Sequence, residues 1–235
     1  MIEKLDVFPD NLLGYDVFAT KIECDFCAYS AFSFAQFFKA TKNGAVTAVI
    51  SLIDGFMCIS ENNTDTEQLK QFIGFLRPNC VSCDSALAEK IGVNGKEAYV
   101  LERRKDGTLF NEFAEIGSAK DVYSELLSFA KDELNLPERD AFVSDFSFKQ
   151  RRNLSLAVSN GKAIAAAFAV GKDSAYIGAV ATDKKYRKNG FGAKAVETIL
   201  FKLKGKKAYL FCEEDNLPFY EKLNFKIKAK AIIGE

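Results

Sequence analysis

Histidine is absent from the chain, and its absence limits the chemistry that the protein can perform. Without an imidazole there is no catalytic triad or metal site built on histidine, and the usual general base near neutral pH is missing. Any proton transfer must therefore use a carboxylate, a tyrosine, a cysteine, a lysine or water.

An excess of charge is missing as well, because 32 Lys and Arg residues balance 32 Asp and Glu residues. A net charge of zero argues against a protein that coats nucleic acid or an acidic membrane. No apolar run approaches the roughly 20 residues of a membrane helix, and residues 1–6 contain no signal-peptide core. We therefore expect a cytoplasmic protein without a nucleic-acid or membrane partner.

Cysteines occur in two C-x-x-C pairs and at two separate positions, namely Cys24/Cys27, Cys80/Cys83, Cys58 and Cys212. Paired cysteines can bind zinc, but compact four-cysteine modules separate their pairs by only about 15–20 residues. Residues 80–83 also predict a short strand, in which residues three apart point to opposite faces. We interpret the cysteines as reduced, mostly buried thiols and predict no metal site.

Residues 154–233 predict a regular order of elements: strand, strand, strand, helix, strand, short helix and strand. The turn Ser159-Asn160-Gly161 joins the first two strands as a hairpin. Apolar residues with helical spacing begin at Phe191. The predicted elements are 154–159, 162–170, 174–182, 191–204, 207–212, 217–223 and 225–233.

Residues 34–103 repeat this order with little sequence identity between the halves. The predicted elements are 34–41, 45–53, 56–60, 65–77, 80–83, 85–91 and 96–103, with hairpin turns at Asn43-Gly44 and Asp54-Gly55. A polar junction at 104–107 and an amphipathic helix at 120–134 follow. The repeat predicts an α+β protein with two domains in tandem, residues 1–104 and 105–235.

The clearest functional pattern is a strand that ends at Thr182, a basic loop, and Gly190-Phe191-Gly192 at the start of a helix. A helix N-terminus presents unpaired N–H groups and the positive end of the helix dipole. Glycine at 190 and 192 lets the main chain approach a phosphate. The loop supplies four cations, Lys184, Lys185, Arg187 and Lys188. Taken alone, this pattern is also compatible with a solvated basic loop.

The wider context is more specific than the glycines alone. Residues 177–193, with Arg187-Lys188-Asn189-Gly190-Phe191-Gly192, resemble the acyl-CoA-binding motif of the GNAT acyltransferase superfamily. Pro218-Phe219-Tyr220-Glu221-Lys222-Leu223-Asn224-Phe225 resembles the second signature of that superfamily, a short helix followed by a strand. The domain that these motifs imply covers residues 117–235. The resemblance implies two GNAT-like domains in tandem, each a mixed, mostly antiparallel central sheet flanked by helices.

The resemblance also implies roles for single residues. The pantetheine arm of an acyl-CoA would pair with the main chain of Val180 and Thr182. Its pyrophosphate would bind the amides of Lys188, Gly190, Gly192 and Ala193, with Arg187 at the first position of the motif. Tyr220 would protonate the departing CoA thiolate, since a phenol holds its proton at neutral pH, and an amide of strand 174–182 would stabilise the thioester oxyanion. Acetyl-CoA or another acyl-CoA is the expected co-substrate.

Two features depart from the superfamily pattern. Asn224 stands where glycine is usual, and asparagine also tolerates the left-handed conformation that such a turn needs. No general base is marked. Glu213 and Glu214 follow strand 207–212 and are candidates, while direct attack by a neutral amine and a relay through water stay open.

The corresponding loop of the first half is Glu61-Asn62-Asn63-Thr64, which has neither paired glycines nor basic residues. Its polar residues favour helix capping, and Glu61 and Asp65 would repel a phosphate. We therefore expect residues 1–104 to be a degenerate GNAT-like copy that does not bind CoA.

The expected activity is that of an N-acetyltransferase, which moves an acetyl or similar acyl group from acyl-CoA to an amine of a small molecule or peptide. The alternative is a non-catalytic acyl-CoA-binding sensor or interaction module. Four acidic residues favour a cationic acceptor, although such residues are more often solvated surface: Asp132, Glu133, Asp140 and Asp145. A monomer and a homodimer are both compatible with the sequence.

Overall fold

A computed structural model of the chain describes residues 1–10, 12, 16–104, 106–131 and 133–234. Lys105 at the predicted junction, Asp132 and Glu235 lie outside the described residues. The chain divides into two compact units. Unit 1 comprises Met1–Leu101, Phe211–Leu217 and Ile227–Glu235, and unit 2 comprises Glu102–Leu210 and Pro218–Lys226. The predicted division into domains at residues 104 and 105 stays a prediction.

The order of elements follows the predicted repeat. In the first half it is β1 (Ile2–Lys4), α1 (Val17–Tyr29), β2 (Ala35–Lys42), β3 (Ala45–Ile53), β4 (Phe56–Glu61), α2 (Thr66–Leu76), β5 (Cys80–Asp84), α3 (Ser85–Ile91) and β6 (Lys96–Arg103). It continues with β7 (Ala114–Glu115), α4 (Ala119–Ala130), α5 (Arg139–Gln150), β8 (Leu156–Ser159), β9 (Ala163–Val170), β10 (Ser174–Thr182), α6 (Phe191–Lys202), β11 (Lys207–Cys212), α7 (Leu217–Lys222) and β12 (Lys226–Ile233). The predicted fold class, a mixed and mostly antiparallel sheet flanked by helices, is confirmed.

Unit 1 contains a sheet with the strand order β1-β2-β3-β4-β5-β12-β6. Its hairpins close at Asn43-Gly44 and Asp54-Gly55, where all four residues have positive φ, as the predicted tight turns require. Strands β4 and β5 run parallel and pair only from Phe56↔Cys80 to Cys58↔Ser82. Beyond that point the two strands separate.

The last strand of the chain belongs to this sheet. Strand β12 pairs antiparallel with β5, with Ala231 opposite Asp84 and Ile232 opposite Cys83. Ile232 also joins the apolar core that α2 and α3 cover, together with Ile50, Ile59, Leu69 and Leu87. A distant C-terminal segment thus completes the core of unit 1.

Unit 2 contains a sheet with the strand order β11-β10-β9-β8-β7. The hairpin between β8 and β9 turns at Asn160, whose side-chain oxygen accepts hydrogen bonds from the amides of Lys162 and Ala163, both at 3.0 Å. Helix α4 begins at its cap Ser118, whose hydroxyl accepts from the amide of Asp121 at 3.4 Å. These local side-chain bonds set the limits of the elements around the candidate site.

Helices cover both faces of β9 and β10. One face packs against α4 and α5 through Val122, Leu126, Phe129, Phe142 and Phe146, and α6 also contacts both strands. Strand β9 is rich in buried alanine, because only small side chains fit between two layers of helices. This packing fixes the position of β10, on which the candidate site is built.

The sequence patterns do not predict helices α1 and α5, which the structure contains. Eight of the 13 residues of α1 are buried, and they lie on more than one face of the helix. The helix therefore shows little of the alternation between apolar and polar faces that marks a surface helix. The helix predicted at 120–134 ends at Ala130. Within the described residues, no helix is long and apolar enough to cross a membrane.

Candidate functional site

Strand β10 has one edge that its parallel neighbour leaves uncovered. The pairing with β11 runs from Ser174↔Lys207 only to Tyr176↔Tyr209. Strand β10 continues for six more residues, Ile177–Thr182, with β9 along its other edge. Within the described part of unit 2, the main chain of these residues therefore has an edge without a strand partner.

Hydrogen bonding shows which residues face that open edge. The amide of Asp183 donates to the carbonyl of Lys162 at 2.9 Å, so Asp183 faces β9. In an antiparallel ladder alternate residues turn their N–H and C=O groups to opposite sides. Val180 and Thr182 must therefore turn theirs to the open edge. The Arg187 side chain reaches the Thr182 carbonyl there, with Nε at 3.1 Å.

The ladder between β9 and β10 is interrupted at Gly178. Its register skips Phe168 on β9 and Gly178 on β10, and a Cβ at Gly178 would lie 2.1 Å from Cδ2 of Phe168. The main chains of Ser174, before the interruption, and Asp183, after it, both hydrogen-bond towards β9. Residues an odd number of positions apart should face opposite sides, so the alternation of main-chain direction shifts by one residue at the interruption. By this count Ile177 and Gly178 both turn towards the open edge, where consecutive amides are suited to an oxyanion. Glycine inside a strand is the sequence signal for such a bulge, and the sequence predictions do not include it.

The loop after β10 turns the chain sharply into α6. It starts with a short 3-10 helix, Lys184–Tyr186, which Asp183 caps by accepting from the amide of Lys185 at 2.9 Å. Lys188 and Gly190 then adopt left-handed conformations, with φ of 64° and 79°. Glycine is suited to such a position because it has no Cβ.

The N-terminus of α6 lacks a capping side chain. Gly190 is the N-cap residue, and the first turn contains no acidic residue. The first amide to bond within the helix is that of Lys194, which donates to Gly190 at 3.1 Å. The amides of Phe191, Gly192 and Ala193 therefore have no carbonyl partner in the helix. At Gly192 a Cβ would lie 2.9 Å from the Thr182 hydroxyl oxygen, so the helix start lies close to the end of β10.

The Arg187 side chain turns back to the protein. Its guanidinium donates to both carboxylate oxygens of Glu133, at 2.8 and 2.9 Å, and to the Phe129 carbonyl at 3.3 Å. These bonds tie the loop to the C-terminal end of α4 and to the Thr182 carbonyl. Arg187 is therefore engaged with Glu133 and with two main-chain carbonyls, and its expected part in binding the pyrophosphate stays a prediction.

Two lysines lie beside the helix start. Lys162 Nζ is 4.8 Å from the ring centroid of Phe191, and Lys194 Nζ is 5.8 Å from the same centroid. Lys194 also binds the Glu112 carboxylate at 2.9 Å, and this hydrogen bond lowers the pKa of Glu112. No described carboxylate lies within ion-pair distance of Lys162. Lys162 thus places a positive charge beside the helix start, whereas Glu112 offsets the charge of Lys194.

Tyr220 lies on α7, which packs beside the same helix start. The Cζ of its neighbour Phe219 is 3.6 Å from the position of a Cβ on Gly192. The half-buried ring of Tyr220 lies 5.8 Å from the ring of Phe225, centroid to centroid. Asn224 has a φ of 60°, which confirms that asparagine supports the left-handed turn after α7. The structure thus brings α7, the α6 start and the end of β10 together.

The acidic candidates are mostly engaged in ion pairs. Glu213 binds Lys96 at 2.5 Å within unit 1, and Glu214 starts a short 3-10 helix, Glu214–Asn216. Among the residues considered for the acceptor, Glu133 holds Arg187, while Asp140 pairs with Arg139 and Asp145 with Lys149. Asp132 lies outside the described residues. A catalytic role for Glu213 or Glu214 stays a prediction.

The cysteines occupy both buried and accessible positions. Cys24, Cys83 and Cys212 are buried and Cys27 is exposed. Burial raises the pKa of the Cys58 and Cys83 thiols to about 12, so both are inert as nucleophiles at neutral pH. The described residues contain no group of three or more Cys, Asp or Glu side chains arranged to hold a metal ion.

Comparison with known proteins relates this site to a family. Residues 119–225 match the sequence model of the Acetyltransferase (GNAT) family. No curated protein matches the chain.

Solved structures resemble the chain over most of its length. A GCN5-related N-acetyltransferase from Kribbella flavida has a TM-score of 0.54 at 16% identity, over 79% of this chain and 85% of that one. A tandem GNAT protein from the clavulanic acid biosynthesis pathway, solved without AcCoA, has a TM-score of 0.53 at 12% identity, over 92% and 86%. A GNAT-family acetyltransferase from Colwellia psychrerythraea has a TM-score of 0.52 at 11% identity, over 100% and 98%. At these identities the likeness shows the fold.

Proposed function

Because the chain contains a GNAT-family acetyltransferase domain at residues 119–225, we propose that it transfers an acetyl or similar acyl group from acyl-CoA to an amine. The acceptor is an amine of a small molecule or peptide. The observation that carries the proposal is the combination of an open β10 edge, an uncapped α6 N-terminus and a tyrosine on α7, all within unit 2.

The shape of this region fits an acyl-CoA. An extended pantetheine arm can hydrogen-bond to the Val180 main chain and the Thr182 amide as an added strand does. The pyrophosphate is suited to the amides at Lys188, Gly190, Gly192 and Ala193, because unpaired N–H groups and the helix dipole both favour an anion. Lys162 lies beside this helix start without a carboxylate partner among the described residues, and adds positive potential.

The chemistry requires a new C–N bond and the loss of the C–S bond. The amine nitrogen attacks the thioester carbonyl, and the amides at the Gly178 bulge stabilise the negative charge on its oxygen. The C–S bond then breaks, and the Tyr220 phenol donates its proton to the CoA sulfur. The chain contains no histidine, so the amine gives up its own proton to water or attacks already neutral.

A non-catalytic acyl-CoA sensor is the second candidate. It is favoured by the ion pair between Lys96 and Glu213, which engages one of the two candidate bases. The enzyme is favoured by Tyr220, which a sensor does not need. We further propose that residues 1–104 do not bind acyl-CoA, that residues 105–235 carry the activity, and that the protein acts in the cytoplasm as a monomer or homodimer.

The binding claim is tested by calorimetric titration with acetyl-CoA. We expect saturable one-to-one binding by the wild type and loss of binding in the Gly190→Glu/Gly192→Glu variant, because two carboxylates at the helix start repel the pyrophosphate. Asn62→Glu, which adds one carboxylate to the exposed loop before α2, is the control and retains affinity. A folded wild type that binds neither acetyl-CoA nor longer acyl-CoAs contradicts the proposal.

Turnover is tested by measuring the release of the CoA thiol with a panel of primary amines and lysine peptides. A rate above the amine-free background supports the enzyme. Binding without release of CoA for any acceptor in the panel favours the sensor.

A further inference from the structure

An ion pair between the buried Arg103 and the half-buried Glu197 lies beside the residue that follows α7. Arg103, the last residue of β6, is 5% exposed. Its guanidinium donates to the two carboxylate oxygens of Glu197 on α6, at 2.6 and 3.1 Å. A buried charge is costly unless it is paired and hydrogen-bonded. The two hydrogen bonds fix the orientation of both side chains.

The same guanidinium holds two main-chain carbonyls. It donates to the carbonyl of Leu223 at 2.6 Å and to that of Asp106 at 3.2 Å. Glu197 in turn accepts from the amide of Thr108 at 3.1 Å. The network therefore joins three segments of unit 2: helix α6, residues 106–108, and the residue that follows α7.

Leu223 links the network to Tyr220. The Tyr220 carbonyl accepts hydrogen bonds from the amides of Leu223, at 3.0 Å, and Phe225, at 3.1 Å. Arg103 also approaches the Phe225 ring, with Cζ 6.0 Å from the centroid, and that ring contacts the ring of Tyr220. Arg103 thus reaches Tyr220 through the main chain and through an aromatic contact.

Helix α7 needs such an anchor. It has only six residues, whereas isolated helices shorter than about 12–15 residues are marginal in water. The carbonyls at a helix C-terminus also lack partners within the helix. A guanidinium that binds the chain directly after α7 therefore restricts the orientation of the whole helix, including its tyrosine.

We propose that Arg103 and Glu197 position Tyr220 for proton transfer to the CoA sulfur. This inference rests on the proposed function, and it assigns Arg103 and Glu197 as positioning residues that do not touch the substrate. Lysine cannot replace arginine here, because one ammonium does not reproduce the fixed fork that binds a carboxylate and two carbonyls together.

The test is a double-mutant cycle with Arg103→Lys and Tyr220→Phe. We expect Arg103→Lys to lower kcat roughly 10- to 100-fold, since small misplacements of a reacting group have effects of this size, while the Kd for acetyl-CoA changes less than about threefold. In the Tyr220→Phe background the same substitution has no further effect on kcat, because the group that it positions is gone. An equal loss of kcat in both backgrounds overturns the proposal.

Two further variants guard against a general loss of structure. Glu197→Gln keeps the shape of the partner and weakens the ion pair, so its effect on kcat has the same sign and is smaller. Glu102→Gln is the matched control, because Glu102 forms an ion pair with Lys207 at 3.6 Å in the same unit. It leaves kcat unchanged.

A readout without turnover separates this inference from the proposed function. Fluorotyrosine-labelled protein, with the Tyr220 signal assigned through Tyr220→Phe, is observed by fluorine NMR. We expect the Tyr220 resonance to shift or broaden in Arg103→Lys and to stay in place in Glu102→Gln. An unmoved resonance in Arg103→Lys overturns the positioning role, even if no acceptor amine has been found. If the resonance responds but no acyl-CoA binds, the proposed function fails, while the role of Arg103 in positioning Tyr220 is retained.

Discussion

Two loops of this chain occupy the same place in the repeated order and differ in how the helix that follows begins. The first loop, residues 62–65, joins β4 to α2, and the second loop, residues 183–190, joins β10 to α6. Each follows a strand that has separated from its parallel neighbour, after Cys58↔Ser82 in one case and Tyr176↔Tyr209 in the other. The surrounding topology is therefore alike.

The chemistry of the two helix starts is opposite. In the first loop Asp65 accepts from the amide of Gln68 at 3.1 Å, Glu61 accepts from Thr64 at 3.0 Å, and Glu67 adds a further negative charge. In the second loop Gly190 supplies no capping side chain, and the first turn of α6 contains no acidic residue. A helix N-terminus thus offers an anion site only where its own side chains leave the amides unsatisfied.

The largest expected effect is the loss of kcat when Tyr220 on the short helix α7 is replaced. Tyr220 is the fourth residue of α7, and the fourth residue of α3 is the buried Ala88, which has no proton to donate. Tyr220→Phe removes only the hydroxyl, so kcat falls about 10²- to 10⁴-fold while acetyl-CoA affinity is retained. Steady-state kinetics and calorimetry measure the two quantities. Tyr123→Phe on α4 is the control, and an equally active Tyr220→Phe enzyme removes Tyr220 from the mechanism.

A second prediction concerns a substitution that gives the second loop a capping carboxylate like that of the first. Gly190→Asp supplies a capping carboxylate like that of Asp65, and acetyl-CoA affinity falls roughly 100-fold because the carboxylate competes with the pyrophosphate for the same amides. Gly190→Asn has nearly the same shape and tolerates the left-handed conformation, so it loses less than about tenfold. Calorimetric titration of both variants gives the comparison. Equal losses would mean that backbone strain decides the effect, with charge irrelevant.

A third prediction concerns acid groups in unit 1. Burial, with a smaller contribution from the Asp84 carboxylate, raises the pKa of Asp16 to about 6. The folded protein therefore keeps a proton that the unfolded chain releases near pH 4, and stability falls as the pH rises from about 4 to 6. Asp16→Asn removes this loss and raises the free energy of unfolding above pH 6 by roughly 1–3 kcal/mol. Urea denaturation at pH 4.5 and 7.5 tests the sign, with Asp6→Asn as the exposed control.

The smallest expected effect is the loss of the cap in the first loop. Asp65→Ala leaves the Gln68 amide without its partner and lowers the free energy of unfolding by about 1 kcal/mol, whereas Asp65→Asn keeps a capping oxygen and loses less. Acetyl-CoA binding stays unchanged in both variants if unit 1 takes no part in it. Thermal unfolding and titration of the full chain check both statements. New acetyl-CoA binding in Asp65→Ala would show that the cap alone closes the first loop to anions.

Sequence patterns predict the elements well where the signal is local. Gly44 and Gly55 mark their hairpin turns, and strands β3, β6, β10 and β11 have the predicted bounds. Patterns are weaker where a segment is buried on several sides, as in α1, because alternation between apolar and polar faces then disappears. At the candidate site, Gly190 and Gly192 stand out in the sequence, whereas the bond between Arg187 and Glu133 depends on two residues 54 positions apart.

The repeated order of elements, the glycine-rich basic loop, the capping residues before α2 and the family resemblance are all readable from the sequence, because each depends on neighbours along the chain. Three features require the three-dimensional fold: β12 completes the sheet of unit 1, β10 keeps an open edge within the described part of unit 2, and Arg103 binds the residue after α7. Strand partners and buried ion pairs join groups far apart in sequence, and their choice follows from packing and desolvation over the whole fold.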